Sequence, residues 1–358
     1  MEITITIIIG LVVLSVIVLV HELGHFVTAK ATGVKVEEFG MGYPPRILGI
    51  RRGETLYSLN AIPFGGFNKL SGEEDPTVPR SLASKSIGTR LLVISAGSLM
   101  NAVLAFLLFS IAFMIPHNVV HEPVIVKVVA PNSPAATAGI QPGDTLLSIN
   151  GEPVQNLYEL LRSVQMNLGE EITLLIEHSD STTEDVKVIP RWKPPEDEGA
   201  IGIEIDLEAV QQNRTTIRQS YPFWQAIPMG ASELIDTLIL YKDGMVSLVV
   251  GTSSAEVAGP VGLVQIMGET AKFGISPLLE LAAIFSLIIG IINLFPIPAL
   301  DGGRIAFILL EFVRRGKRIP PKTEGMVHLI GFILLISVML AITYRDIIRI
   351  ISGESPIP

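Results

Sequence analysis

The sequence predicts an α-helical polytopic membrane protein with four transmembrane helices, a membrane-associated β-hairpin or loop, and an inserted α+β domain. Four observations predict it. Mean hydropathy is +0.52. Only 17% of the 358 residues are charged, against about 25% in soluble domains. Four apolar stretches are also long enough for the roughly 20 residues that a helix needs to cross a bilayer. Basic and acidic residues, finally, fall on alternate sides of those stretches.

The first stretch, Ile3–Val20, is uncharged throughout and continues helically to about Lys30. It lacks the basic leader and small-residue cleavage site of a signal peptide and reads as a retained span. The others are Leu91–Ile115, Leu281–Leu300 and about Gly325–Tyr344. Between the first two lie Lys30, Lys35, Arg46, Arg51, Arg52, Lys69, Arg80, Lys85 and Arg90. Between the last two lie Arg314, Arg315, Lys317, Arg318 and Lys322. Pro116 to Pro277 is acid-rich, with Glu196-Asp197-Glu198 as one cluster. Basic loops stay in the cytoplasm, so both basic loops belong there, and the long segment and both ends belong outside. Expected domains are an N-terminal membrane part (1–117), an extracytoplasmic domain (118–207), a linker with interfacial segments (208–277) and a C-terminal membrane part (278–358).

Within the first part, Val34–Phe39 alternates like a strand. Arg46–Ile62 reads as a hairpin turning near Arg52-Gly53-Glu54, with Gly65-Gly66 following. Such a hairpin can offer a strand edge to an extended peptide or simply connect two spans in solvent; both readings stand. In the external domain, VIVKVV is a strand and Ser133–Ile140 a short helix and turn. Thr145–Asn150 is a strand and Asn150-Gly151 a hairpin signal. Asn156–Met166 is an amphipathic helix, and ITLLIEH and DVKVIP are strands. Tyr221–Gly274 contains Glu233, Asp236, Lys242 and Asp243, and reads as interfacial helices rather than a fifth span. Zero cysteines exclude disulfides, thiolate metal sites and a cysteine nucleophile. A net charge of -9 with no basic stripe excludes nucleic acid as a partner.

At the end of the first span stands His21-Glu22-Leu23-Gly24-His25. Histidines at i and i+4 share one helix face and can share one metal ion, and Glu22 lies beside them as a general base for water must. Charged and ionisable residues at membrane depth usually mark function. A catalytic zinc site takes three protein ligands. The candidate for the third is Asp301, within Asn293-Leu294-Phe295-Pro296-Ile297-Pro298-Ala299-Leu300-Asp301-Gly302-Gly303, a span broken by two prolines and then an Asp-Gly-Gly turn. Broken backbone at that depth must be buried in protein or line a cavity. Topology brings Asp301 and the His pair to the same cytoplasmic depth. His117 and His121 share the spacing but are bracketed by Pro116 and Pro123 and lack a glutamate between them. His178, in a strand, and His328, near a span end, show no partner set.

These motifs together resemble the site-2 protease family of intramembrane zinc metalloproteases, in its bacterial RseP type. Ser95-Ala96-Gly97 with Asn101, and Gly259-Pro260-Val261-Gly262, match as well; Ser98 stands where the family usually has proline. AGIQPGDTLLSINGEPV resembles a bacterial PDZ domain, and one such domain is present. The resemblance implies zinc held by His21, His25 and Asp301, with Glu22 as catalytic base and Asn293 as a catalytic support for substrate or the developing oxyanion. It also implies a membrane-re-entrant β-loop, a bacterial inner-membrane location with an extracytoplasmic PDZ domain, and single-span membrane proteins as substrates, such as anti-sigma factors or remnant signal peptides. The PDZ domain could take peptide C-termini or act as a steric gate against bulky outer domains. Rival readings are a catalytically silent membrane PDZ adaptor and a metal transporter. The intact set His21, Glu22, His25 and Asp301 speaks against the first; a single cluster, with no transport role for Glu22, speaks against the second.

Overall fold

A computed structural model describes residues 2–195, 197–251 and 259–352. Helix α1 (Glu2–Ala31) runs unbroken for 30 residues and carries no charge from Ile3 to Val20, as a helix able to cross a bilayer requires. Lys30 in its last turn complements the negative end of the helix dipole. Strands β1 (Val36–Arg52) and β2 (Thr55–Leu70) follow as one antiparallel ribbon. The strand and the short hairpin expected from sequence are thus parts of a single element. Its register runs from Arg52 opposite Thr55, through Tyr43 opposite Ile62, to Val36 opposite Leu70. Repeated bulges fold the ribbon on itself, so that Phe39 lies beside both Asn68 and Tyr57. Lys30 and Arg80 tie down the ribbon's tip through Glu54. Arg80, and after it Lys30, hold that carboxyl below the usual carboxylate range. Helix α2 (Ile87–Met114) completes the N-terminal part.

The next segment supplies β3 (His117–His121), β4 (Val124–Val129), α3 (Pro134–Thr137), β5 (Thr145–Ile149), β6 (Glu152–Pro153), α4 (Leu157–Met166), β7 (Ile172–Glu177), β8 (Thr183–Val188), β9 (Ile203–Ile205), α5 (Leu207–Gln212), β10 (Thr215–Gln219) and α6 (Phe223–Val250). Its main sheet has the order β8-β7-β5-β4-β9, with β6 on β5. Leu146, Leu160, Ile172, Leu174 and Ile176 form the core beneath it. Ser133 and Asn156 cap α3 and α4 with side-chain oxygens. Asn150 and Gly151 both take positive φ, as a type I′ hairpin turn demands. Sequence patterning missed β9 and the separate β3–β10 ribbon because three to five residues with mixed exposure carry no clear alternation. In α6, Glu233 and Asp236 both pair with Arg162 of α4.

The chain then forms α7 (Pro260–Thr270), a 3₁₀ turn (Ala271–Phe273), α8 (Ile275–Leu294), α9 (Asp301–Val313) and α10 (Pro321–Ser352). Two compact units result: residues 1–112 with 257–358, and residues 113–256. Among the described residues, four helices are long and apolar enough to cross a membrane: α1, α2, α8 and α10. Helix α6 is not one of them, in keeping with its internal charges. The apolar stretch of α10 is only 6% buried, against 39% in α2 and α8. Its leucines and isoleucines therefore face outward, where lipid would solvate them. Asp346 of α10 is buried and accepts a hydrogen bond from the Gly262 N–H at the start of α7 (2.8 Å). This makes α10 the N-terminal cap of a helix distant in sequence.

Candidate metal centre

The site is assembled where α1 crosses α2. A Cβ at Gly24 would run into the Ala96 carbonyl oxygen, so only glycine lets the two backbones approach. One residue on, Gly97 faces the imidazoles; a Cβ there would sit 2.6 Å from His21 Nε2 and collide with His25 Nε2. The pairing of Ala96-Gly97 with HELGH is thus steric. His25 Nδ1 donates to the Val93 carbonyl of α2 (2.8 Å), which leaves Nε2 as the ring's free lone pair.

The third group arrives through the break after α8. Pro296 and Pro298 cannot supply the N–H groups that a helix needs, and α8 ends at Leu294 rather than running to Leu300 as a single span would. Asp301-Gly302-Gly303 is not a free turn but the first turn of α9. A Cβ on Gly302 would strike the carbonyls of Leu294 and Phe295, so glycine is required for α9 to start so close to the end of α8. Ala299, at φ 81°, is held in the left-handed region. Its N–H donates to His328 Nδ1 of α10 (3.0 Å), and Gly331 of the same helix packs on Pro298. His328 therefore has a partner that sequence did not reveal: it props the loop that aims Asp301. His178, also expected to stand alone, is paired as well, with Asp144 (2.9 Å) and Glu184 (3.3 Å).

The outcome is a tight triangle. Asp301 Oδ2 lies 3.0 Å from His21 Nε2 and 3.1 Å from His25 Nε2, and the two nitrogens lie 3.1 Å apart. Both histidines are buried. Two ring nitrogens facing one another and one carboxylate oxygen have too few hydrogens to satisfy every edge; a cation at the centre would satisfy all three. Donors bonded to zinc at about 2.0–2.1 Å in tetrahedral array stand roughly 3.3 Å apart, close to what is found. The donor set, with no cysteine in the chain, therefore fits zinc. The histidines and the aspartate predicted from sequence are brought together. His117 and His121 lie instead on β3, paired with β10.

Glu22 is half-buried beside the triangle. Strand β2 passes it at Gly66, where a Cβ would be 3.7 Å from Glu22 Cγ. Asn293 stands at the C-terminal end of α8, where its amide nitrogen donates to the Ile289 carbonyl one turn back (3.0 Å). Sequence reading also passed over Arg304, one turn beyond Asp301 and ion-paired with Glu73. Both line a cavity of about 380 Å³ with Arg90, Glu311, Arg318 and Glu324. Arg90 and Glu311, both buried, pair at 2.8 Å and fasten α2 to α9. Opposite charges inside apolar helices were the available signal for that pair.

Residues 9–338 match the sequence profile of Peptidase family M50. The chain belongs to that family, the zinc-dependent site-2 proteases, so its cofactor is zinc and its class is metalloprotease. A protein of Clostridium acetobutylicum named "Putative zinc metalloprotease" is 35% identical over 344 residues, covering 96% of this chain and 97% of that one. The zinc metalloprotease RasP of Geobacillus kaustophilus is 28% identical over 421 residues, covering 94% and 96%. Among solved structures, a PDZ domain of an SdrC-like protein from Listeria monocytogenes aligns at 19% identity with a TM-score of 0.22, covering 25% of this chain and 92% of that one.

Proposed function

We propose that this metalloprotease cleaves transmembrane segments inside the bilayer, near its cytoplasmic side, with zinc held by His21, His25 and Asp301. The carrying observation is the convergence of those three donors beside Glu22, the two histidines on α1, a helix long enough to span a membrane, and Asp301 at the start of α9. Zinc held there supplies a Lewis acid for the scissile carbonyl and lowers the pKa of water to about 7. Glu22 accepts the proton of the attacking water and delivers it to the leaving amine. Asn293, to steady the developing oxyanion, exchanges its bond to Ile289 for one to substrate; loss of such a donor typically costs about 100- to 1,000-fold in rate.

A helical substrate must be extended before its peptide bonds can be reached. The β1–β2 ribbon suits this task, because β2 runs past Glu22 and can accept an unwound segment as an added strand. An apolar cleft of about 340 Å³, lined by Leu19, Phe39, Met41, Leu48, Ile50 and Leu59, lies between ribbon and α1 and takes the segment's side chains. The sheet unit of residues 118–207 acts as an extracytoplasmic PDZ domain that takes peptide C-termini or excludes substrates with bulky outer domains. The excess of lysine and arginine in the two loops supports an extracytoplasmic side for it at the inner membrane of a bacterium. Substrates are then single-span proteins already trimmed, of the anti-sigma factor or remnant signal peptide kind. Glu22→Gln tests the assignment: zinc content stays at wild type and cleavage of a single-span reporter is lost. Wild-type cleavage by that variant contradicts it.

A further inference from the structure

If His21 ligates zinc through Nε2, its proton must sit on Nδ1, and a buried Nδ1–H needs an acceptor. His25 has one in the Val93 carbonyl. The group within reach of His21 Nδ1 is the Asn101 amide of α2, 3.4 Å away. Asn101 is fully buried, and its backbone is pinned where α2 meets α8: Ser286 Oγ donates to its carbonyl (2.9 Å), and Gly290 leaves room for its side chain. With the amide nitrogen toward the ring, the two interactions conflict. Nδ1 becomes an acceptor, which puts the proton on Nε2 and removes a zinc ligand, while Asn101 Oδ1 is buried without a partner. A half-turn of the amide about its last side-chain bond exchanges two atoms of nearly equal size, gives Oδ1 the Nδ1 proton as its partner and frees His21 Nε2 to ligate.

We infer that Asn101 is a positioning residue: in the zinc-bound protein its amide oxygen accepts the Nδ1 proton of His21 and fixes the tautomer that leaves Nε2 free to ligate. The inference rests on the reading of His21 as a zinc ligand. Both histidines then have an acceptor from α2, on the side of the ring away from the metal, and such outer partners typically change metal affinity by about 10- to 100-fold.

The test measures the zinc dissociation constant of the full chain in detergent by chelator competition. Asn101→Leu removes the acceptor at similar volume and weakens zinc binding about 10- to 100-fold, with cleavage recovered by added zinc. Asn101→Asp keeps an acceptor oxygen and binds zinc at least as tightly as wild type. A wild-type affinity in Asn101→Leu, or an equal loss in both variants, overturns the inference. Should Asn101→Leu fail to fold, a tenfold loss in Asn101→Asp alone overturns it. His21→Ala, measured in parallel, separates the two levels. If it keeps zinc at wild-type affinity, the ligand assignment itself fails; if it loses zinc while Asn101→Leu does not, only the role of Asn101 fails.

Discussion

Gly97→Ala places one methyl group among the metal-binding atoms. The added carbon would lie 2.6 Å from His21 Nε2 and 2.7 Å from His21 Cε1, and nearer still to His25 Nε2. Non-bonded atoms of this kind rest at about 3.5 Å, so the rings must retreat by roughly 0.9 Å or more. Zinc sites tolerate only about 0.2 Å of error in bond length, so the retreat cannot be absorbed with the metal in place. Overpacking of a filled interior costs about 1–3 kcal/mol. If the metal-free protein relaxes and the bound one cannot, that cost appears as about a 5- to 150-fold rise in the zinc dissociation constant. The assay is chelator competition on the purified full chain, with thermal unfolding in excess chelator to show that the metal-free fold survives. Gly88→Ala in the same helix is the control, because nothing lies within 4 Å of its added carbon. Unchanged zinc affinity in Gly97→Ala would refute the account of why α2 carries glycine at this crossing.

Three further outcomes follow from pairs outside the triangle. Glu311→Gln leaves Arg90 buried without its countercharge, and loss of one member of such a pair costs about 3–5 kcal/mol; thermal unfolding should show a large drop, and a shift within error contradicts a structural role for the pair. Asp346→Ala removes the acceptor of the Gly262 N–H and costs about 1–3 kcal/mol, read as faster hydrogen exchange at the start of α7 with the ribbon unaffected. His178 titrates above its usual value because Asp144, and after it Glu184, accept hydrogen bonds from its ring. A raised folded-state value means the protonated ring stabilises the fold fully below the ordinary value near 6.5, and that this contribution is lost as pH rises through the folded-state value. Wild type should therefore protect β5 and β7 from hydrogen exchange better than His178→Gln at pH 6, with the two converging at alkaline pH. A constant gap across that range contradicts the pairing.

The four long apolar helices were legible because an uninterrupted apolar run has few other fates, and HELGH because its spacing is that of a helix face. Asp301 was legible from the expected depth: the charge asymmetry predicts the end of the third apolar stretch at the level of the His pair, and the structure brings its carboxylate within 3.1 Å of both rings. What escaped reading depends on contacts between distant residues. Nothing near Asp301 signals that the Asp-Gly-Gly turn opens a new helix; that follows from glycines packed on the carbonyls of Leu294 and Phe295. His328 looked unpartnered because its partner is a backbone N–H, which every residue but proline carries. The strand and hairpin after α1 were separately visible, but their fusion into one folded ribbon depends on bulges that alternation does not encode. The short β9 and the β3–β10 ribbon were lost for want of length.

The central claim is that His21, His25 and Asp301 hold one catalytic zinc ion. X-ray absorption at the zinc edge, with metal content measured on the same purified full-length sample, tests it most directly. The account predicts one zinc per chain with nitrogen and oxygen neighbours only, two of them imidazole, and loss of that zinc in Asp301→Ala. Zinc retained at full occupancy with unchanged coordination in Asp301→Ala would contradict it.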